Sequence, residues 1–141
     1  MVERLVANEK VEGSNPFARS NKVYLLIMSE LYKKKCADCN PNTPAFDISE
    51  IHKYLKKING WNVESNEEKK FFLFKEFNFK NFLDSQKFVN EVGKISEEEG
   101  HHPDLSFGWG YAKISITTHA IEGLSENDFI LAAKIDKKIS V

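Results

Sequence analysis

Residues 81–118 decide the fold, and they read NFLDSQKFVNEVGKISEEEGHHPDLSFGWGYAKISITT. The first half predicts a long helix over residues 81–99, because apolar side chains recur at helical spacing and Gly100 stands where a glycine commonly ends a helix. The second half predicts two strands that turn near residues 108–111, since apolar and polar residues alternate after the turn. A helix followed by an antiparallel hairpin is therefore expected.

The same order of elements is predicted upstream of this stretch. Asp47, with Glu50 three residues later, resembles a capping box, and Gly60 ends the helix that follows. Residues 61–63 begin the next strand, and residues 70–77 (KFFLFKEF) form another that is rich in β-forming side chains. The unit of one helix and two strands thus occurs twice.

A closing helix is predicted after Ser125. Ser125 and Asp128 form a capping box with Asp in the last place, and Phe129 is expected to face the core. The order is therefore α-β-β-α-β-β-α. Two hairpins with interleaved helices predict an α+β domain, in which helices cover one face of a four-stranded antiparallel sheet. We expect this domain to span residues 33–140.

Length and composition suit one small domain. The chain has 141 residues, of which 41% are hydrophobic and 29% are charged, and its formal net charge is −1. This balance argues against a dedicated nucleic-acid-binding domain and against a disordered chain. The longest apolar run, residues 23–28, is far too short to span a bilayer. We expect a cytoplasmic protein.

The first 32 residues differ from the rest. Residues 1–32 are predicted to form a disordered N-terminal extension, because residues 1–22 have no sustained period. The hypothesis that Met28 is the natural start would make residues 1–27 non-native.

Cys36 and Cys39 form a C-x-x-C pair in a proline-rich loop. A structural zinc site needs four ligands, and no second pair stands at finger-like spacing. A redox pair should open a helix after a strand, which this loop does not do. No essential function is the favoured interpretation, with weak metal binding or adventitious oxidation left open.

Three of the four histidines fall within nineteen positions. His101 and His102, followed by Pro103, lie in the loop between the long helix and the third strand. His119 lies at the far end of the fourth strand. If the last two strands form a hairpin, its two ends meet, so we expect His119 to lie beside the loop.

The spacing of these histidines leaves three interpretations open. Imidazoles suit proton transfer at neutral pH, which favours acid–base catalysis or ligand binding. A zinc site is disfavoured, because His101 and His102 are adjacent and no helical metal motif is present. Surface or capping histidines are the third interpretation.

The acidic run 97–99 lies at the end of the long helix, where the helix dipole disfavours negative charge. It is either solvated or retained for a functional site.

The pattern of these residues resembles the signature of the pterin-4a-carbinolamine dehydratases. The resemblance covers about residues 33–136 and is carried by fixed positions at fixed spacing, namely Glu97, His101, His102, Pro103, Trp109, His119 and Asp128. It implies dehydration of 4a-hydroxytetrahydropterin, the 4a-carbinolamine, to quinonoid dihydropterin. This reaction recycles the tetrahydrobiopterin-type cofactor of aromatic amino-acid hydroxylases.

The resemblance also implies a role for each residue. His101 and His119 are expected to be the catalytic acid–base pair, and Glu97 to orient or tune an imidazole. His102 is expected to position the pterin, and Pro103 to fix the loop. No cofactor and no metal is implied, because the reaction needs an acid and a base.

Further positions are expected to contribute to binding or to structure. Thr118 and Ala120 flank the pocket beside His119 in this interpretation. Trp109 is counted among the substrate-binding positions, although packing is its favoured role over stacking. Asp128 is expected to be a helix cap rather than a catalytic group.

The resemblance implies a homodimer or homotetramer, with an aromatic amino-acid hydroxylase as metabolic partner. Neither direct nucleic-acid binding nor membrane association is expected. Animal members of the family also act as dimerisation cofactors of a homeodomain transcription factor. The alternative function is therefore a pterin-binding or dimerisation-cofactor (transcriptional coactivator) protein without significant catalysis.

Overall fold

The computed structural model describes the backbone of residues 3–6 and the whole of residues 30–139. The described ranges contain five strands, three α-helices, a helical turn at residues 30–32 and a short 3₁₀ helix. The strands are β1 (Glu3–Val6), β2 (Asn62–Ser65), β3 (Phe71–Asn78), β4 (Asp104–Gly108) and β5 (Tyr111–Ile116). The helices are α1 (Ile48–Leu55), α2 (Phe82–Glu99) and α3 (Glu126–Ile139), and the 3₁₀ helix is His119–Ile121.

All strand pairs are antiparallel, in the order β1-β2-β3-β5-β4. The predicted α+β class and the four-stranded antiparallel sheet, β2-β3-β5-β4, are confirmed. The structure adds β1 as a further strand, which pairs with the outer edge of β2. β5 therefore lies between β3 and β4, with β4 at the opposite edge of the sheet.

The core lies between one face of this sheet and the helices. Leu73 of β3 and Ile114 and Ile116 of β5 are completely buried, as is Phe129 of α3. Because side chains alternate along a strand, the intervening residues point to the other face, where Lys113 is exposed. The predicted contribution of Phe129 to the core is confirmed.

The long helix α2 begins and ends as predicted. The Asn81 side chain accepts a hydrogen bond from the Asp84 amide, which caps the N-terminus. Gly100 adopts a left-handed conformation with φ of 64°, which a glycine accommodates most easily. Phe82 differs from expectation, because it is 45% exposed and packs against Phe107 at 5.6 Å between ring centres.

Helix α1 is shorter than predicted. The expected cap is confirmed, since Asp47 Oδ1 accepts from the Glu50 amide at 2.8 Å. The helix ends at Leu55 rather than near Gly60, and Ile58 is buried in the core from the following turn. The Asn59 amide beyond it donates to Asp136 of α3 at 3.1 Å, so a tertiary contact replaces the helical one.

Two parts of the predicted N-terminal extension are included in the described residues. Besides β1, a helical turn at residues 30–32 places Leu31 in the core with 3% exposure. The hypothesis of a start at Met28 concerns positions that lie largely outside the described residues. That hypothesis and the boundaries at residues 33 and 140 stay predictions.

Candidate active site

The β4–β5 hairpin brings the 101–103 loop next to the end of β5. Asp104, the first residue of β4, pairs with Ser115, the residue before the last one of β5. The residues that precede β4 therefore lie near Thr118, which follows β5 and shares a carboxylate partner with His101. The predicted turn of the hairpin at residues 108–111 is confirmed.

A single buried carboxylate connects the two ends of the hairpin. Asp128, which is completely buried near the start of α3, places Oδ1 2.7 Å from His101 Nε2. Its Oδ2 accepts a hydrogen bond of 2.8 Å from Thr118 Oγ1. His101 is itself only 5% exposed. The contact between His101 and Asp128 is thus shielded from bulk water.

This contact favours one tautomer of His101. An ionised carboxylate can only accept hydrogen bonds, so Nε2 of His101 carries the proton in that contact. Nδ1 is then the nitrogen with a free lone pair, and it can take up a proton. The Asp128 charge would stabilise the imidazolium that results. The geometry therefore fixes the orientation of the buried His101 ring through its Nε2 contact.

Asp128 is also the predicted helix cap. Its Oδ2 accepts from the Ser125 amide at 2.8 Å, which confirms the capping contact at the N-terminus of α3. The Ser125 hydroxyl does not complete the box, because it lies 3.0 Å from Thr118 Oγ1. The contact with His101 had not been predicted, although Asp128 belongs to the same signature.

His102 and Glu97 form a second, exposed pair. His102 Nε2 lies 2.5 Å from Glu97 Oε1, and the two side chains are 60% and 78% exposed. Glu97 is in the last turn of α2, where the helix dipole disfavours a negative charge. The predicted partnership of Glu97 with an imidazole is thus found, and the imidazole is that of His102.

His119 opens the 3₁₀ helix and lines a cavity of about 260 Å³. Phe72 of β3, Thr117 and Lys70 contribute to the same cavity. The His119 side chain lies among these residues, whereas its neighbour Thr118 is buried against Asp128. Two consecutive residues thus serve different parts of the site.

The remaining predicted site residues are Pro103, Ala120 and Trp109. Pro103 is half-buried in the loop, and Ala120 is exposed in the 3₁₀ helix. Trp109 lies at the tip of the hairpin, beyond the end of β4 that is opposite to the loop. Its favoured role in packing is not found, because Trp109 is 71% exposed.

A second cavity, of about 180 Å³, lies on the other side of Thr118 and is lined by Cys39. Cys39 is exposed, whereas Cys36 is buried with its Sγ 3.6 Å from the Asn127 carbonyl. Burial raises the pKa of Cys36 to about 12, so its thiol stays protonated at neutral pH. The two cysteines are not joined by a disulfide.

Two features are absent from the described ranges. No cluster of three or more His, Cys, Asp or Glu side chains there has a geometry that could hold a metal ion. None of the helices in those ranges combines the length and the apolar content that crossing a bilayer requires.

Fold and site together define a small α+β domain in which a buried carboxylate holds a histidine at the end of a β-hairpin. The family model described as pterin 4 alpha carbinolamine dehydratase matches residues 44–138. The chain therefore belongs to this family, whose name describes a hydro-lyase. The predicted family membership is confirmed.

Individual proteins give the same result. A protein of Rubrobacter xylanophilus is 42% identical over 110 residues, which are 78% of this chain and 99% of that protein. One of Alkaliphilus metalliredigens is 42% identical over 114 residues, which are 80% and 99% of the two chains. Both are named, provisionally, as pterin-4-alpha-carbinolamine dehydratases.

A solved structure shows the same fold. It is the crystal structure of a transcriptional coactivator/pterin dehydratase from Brucella melitensis, with a TM-score of 0.59 and 22% identity. The match covers 66% of this chain and 96% of that one. At this identity the similarity extends to the fold alone.

Proposed function

We propose that this protein dehydrates 4a-hydroxytetrahydropterin to quinonoid dihydropterin by histidine acid–base catalysis. The observation that carries the proposal is the buried Asp128 carboxylate, which is 2.7 Å from His101 and 2.8 Å from Thr118. His119 follows Thr118 directly. Family membership indicates the substrate class. The two histidines would transfer the protons, and Asp128 holds His101 in place.

In the proposed reaction the C4a–O bond breaks and a C=N bond forms. A base takes the proton from the ring nitrogen, and an acid protonates the departing hydroxyl, which leaves as water. We assign the base to His101, because Asp128 stabilises its protonated form. His119 is then the acid. No electrons are exchanged, so the pterin is the substrate and no cofactor takes part.

The other predicted residues of the site are assigned to substrate binding. His102 positions the pterin and is oriented by Glu97, with which it shares a 2.5 Å contact. Pro103 fixes the loop between them and β4. Thr118 and Ala120 form the wall beside His119. Trp109, at the far end of the hairpin, is assigned to substrate binding as well.

The experiment that tests the proposal is a direct turnover assay. Freshly prepared 4a-hydroxytetrahydropterin is supplied, and quinonoid dihydropterin is followed by absorbance against the spontaneous reaction. His101→Ala and His119→Ala are each expected to slow dehydration by about 10²-fold or more, the usual contribution of a positioned acid or base. His102→Ala should act mainly by raising KM.

The fourth histidine provides the matched control. His52 is exposed on α1, away from the hairpin, and His52→Ala should retain the full rate. The pH profile of kcat/KM separates the two roles, because loss of the base should remove the acidic limb and loss of the acid the alkaline limb. Full activity of both His101→Ala and His119→Ala would contradict the proposal.

The metabolic setting is part of the proposal. A dehydratase of this specificity would recycle the tetrahydrobiopterin-type cofactor of an aromatic amino-acid hydroxylase, and we place it in the cytoplasm. We also propose that the protein is a homodimer or homotetramer. Size-exclusion chromatography with light scattering tests the oligomeric state directly.

A further inference from the structure

Residues 35–37 (the 35–37 segment) are bound to the C-terminal end of α2. The Cys36 amide donates to Glu99 Oε2 at 2.9 Å, and the Lys35 ammonium donates to the Glu98 carbonyl. The last carbonyls of a helix have no partner within that helix, so a lysine from another part of the chain can satisfy one of them. The 35–37 segment therefore holds the last turn of α2, which leads directly into the loop with the two adjacent histidines.

The same segment is bound to the N-terminal end of α3 through Asn127. The Asn127 side chain accepts from the Ala37 amide at 2.9 Å and donates to the Ala37 carbonyl at 2.8 Å. The Cys36 thiol lies 3.6 Å from the Asn127 backbone carbonyl. Asn127 is itself buried and directly precedes Asp128. Contacts of both side chain and backbone therefore hold the first turn of α3 to the 35–37 segment.

These two helix ends carry the two members of the buried pair. His101 follows α2 after one residue, and Asp128 is the third residue of α3. Burial and the charges of Glu99 and Asp128 raise the pKa of Cys36 to about 12, so the segment lies close to the pair. A hydrogen bond weakens when its length or angle changes, and the 2.7 Å contact of the pair joins groups at two separate helix ends. Its geometry therefore depends on how those ends are held.

We propose that Asn127 is a positioning residue for the His101–Asp128 pair, which it aligns through the 35–37 segment. The inference rests on the proposed function, in which His101 is the base. Asn127 fixes the start of α3 against the segment, and Glu99 fixes the end of α2 against the same segment. The imidazole and the carboxylate are thereby held at hydrogen-bonding distance. The loop that contains Cys36 thus contributes to the site by joining the two helix ends.

Asn127→Ala tests this inference in the turnover assay. It removes both side-chain contacts with Ala37 and leaves Asp128 unchanged. We expect kcat to fall about tenfold with KM nearly unchanged, because a small displacement of the pair affects the chemical step rather than binding. Asn127→Asp can still accept from the Ala37 amide but cannot donate to its carbonyl, so it should retain more of the rate.

Asn40→Ala is the matched control. Asn40 is an exposed asparagine of the same loop, and among the described residues its side chain binds the nearby Asn42 amide rather than a helix end. Its removal should leave kcat and KM at their wild-type values. A decrease equal to that of Asn127→Ala would assign the effect to the loop in general, and the role of Asn127 would be overturned.

A measurement without turnover follows the pair itself. In protein with isotope-labelled histidine, NMR detects the Nε2 proton of His101 and its exchange with water. Exchange should be slow in the wild type, because this proton is bound to Asp128 and the ring is buried. Asn127→Ala should speed the exchange by about tenfold or more, since local opening of a helix end admits water. Val63→Ala, which shortens a completely buried side chain of β2, controls for a general loss of stability and should leave the exchange unchanged.

The outcomes separate this inference from the proposed function. If the wild type is active, the inference requires both a lower kcat and faster exchange in Asn127→Ala, and the absence of either overturns it while the proposed function stands. If the wild type does not turn over the substrate, the proposed function fails, and the exchange rates alone decide whether Asn127 positions the pair. Equal acceleration in Val63→Ala would overturn the inference in either case. If Asn127→Ala does not fold, Asn127→Asp takes its place in the same comparisons.

Discussion

At the scale of single residues, Asp128 combines a structural and a chemical contact in one side chain. One oxygen accepts from the Ser125 amide and so stabilises the start of α3, and the other binds His101. Thr118 donates to the same carboxylate at 2.8 Å. Because a carboxylate that caps a helix is held rigidly, it can fix the orientation of the imidazole that it contacts.

Asp128→Asn should separate these two contacts. An asparagine can still accept from the Ser125 amide, but it carries no charge to stabilise a protonated His101. We expect kcat to fall by about 10²-fold or more, with the melting temperature changed much less. Turnover and thermal unfolding measured on the same samples check this.

Thr118→Val is the control for a purely structural effect. It removes the other side-chain donor to Asp128 but keeps the contact between Asp128 and His101. Stability should fall in Thr118→Val, while the acidic limb of its pH profile should stay in place. If Asp128→Asn also leaves that limb unchanged, Asp128 has no role beyond capping.

At the scale of elements, Glu99 connects the C-terminal end of α2 to two other parts of the chain. Its carboxylate accepts from the Cys36 amide at 2.9 Å and lies 2.5 Å from Lys134 of α3. Burial by itself raises the pKa of Glu99, but these two partners outweigh it and hold the pKa below 4.5. A negative charge at an unfavourable helix end is thus compensated by tertiary contacts.

Glu99→Gln should therefore destabilise the fold at pH 7. We expect a loss of about 1–2 kcal/mol in the free energy of unfolding, the usual scale for a hydrogen bond to a charged group. Because the folded-state pKa is lowered, the contribution is present above pH 4.5 and is lost as the pH falls further. Urea unfolding at pH 7 and at pH 3.5 should show the difference shrink.

The neighbouring residue offers a matched control for this prediction. Glu98 carries the same charge at the same helix end, and its side chain is exposed. Glu98→Gln should be neutral or slightly stabilising, since it removes a charge that the helix dipole disfavours. Equal losses in Glu98→Gln and Glu99→Gln would show that the tertiary contacts contribute nothing.

At the scale of the whole molecule, a buried ion pair joins α3 to the sheet. Asp136 lies 2.8 Å from Lys75 of β3 and 3.0 Å from Trp61 Nε1, which precedes β2. Burial raises the pKa of Asp136 above 3.8, although Lys75 and the other partners lower it. The carboxylate therefore depends on its lysine to remain ionised inside the protein.

Lys75→Met should remove about 3–5 kcal/mol of stability at pH 7, because it takes the Lys75 ammonium away from the buried Asp136 carboxylate. The folded-state pKa is then raised further, so proton uptake favours the folded state. The loss should accordingly shrink as the pH falls toward 4. Denaturant unfolding at both pH values checks this, with Lys113→Met as the exposed control; a loss that does not depend on pH would contradict the explanation.

The exposed aromatic side chains at the β4 edge of the sheet allow a test of the proposed oligomer. Phe107 and Trp109 are 36% and 71% exposed on β4 and at its turn, and Phe82 beside them is 45% exposed. An edge strand flanked by such side chains is a surface suited to association. Replacing Phe107 and Trp109 with Ser should convert an oligomer into monomers in size-exclusion chromatography. Ile48→Ser, on α1, should not, and unchanged elution of the double variant would place the interface elsewhere.

Much of the fold follows from local sequence features. Asp47 and Ser125 precede helices as predicted, and Gly100 ends one. Caps, glycines and apolar spacing act within a few residues, so they can be recognised without knowledge of the rest of the chain. Local features did not predict the early end of α1, beyond which the Asn59 amide donates to the distant Asp136 of α3.

The sequence by itself determined the order of elements, the hairpin turn and the family signature that contains the three histidines. Only the tertiary structure decided which carboxylate serves which imidazole, pairing Asp128 with His101 and Glu97 with His102. It also decided that Phe72, Lys70 and Glu122 meet beside His119. Such contacts join residues far apart in the chain. They depend on strand register and on where a helix end packs, and neither is encoded in local spacing.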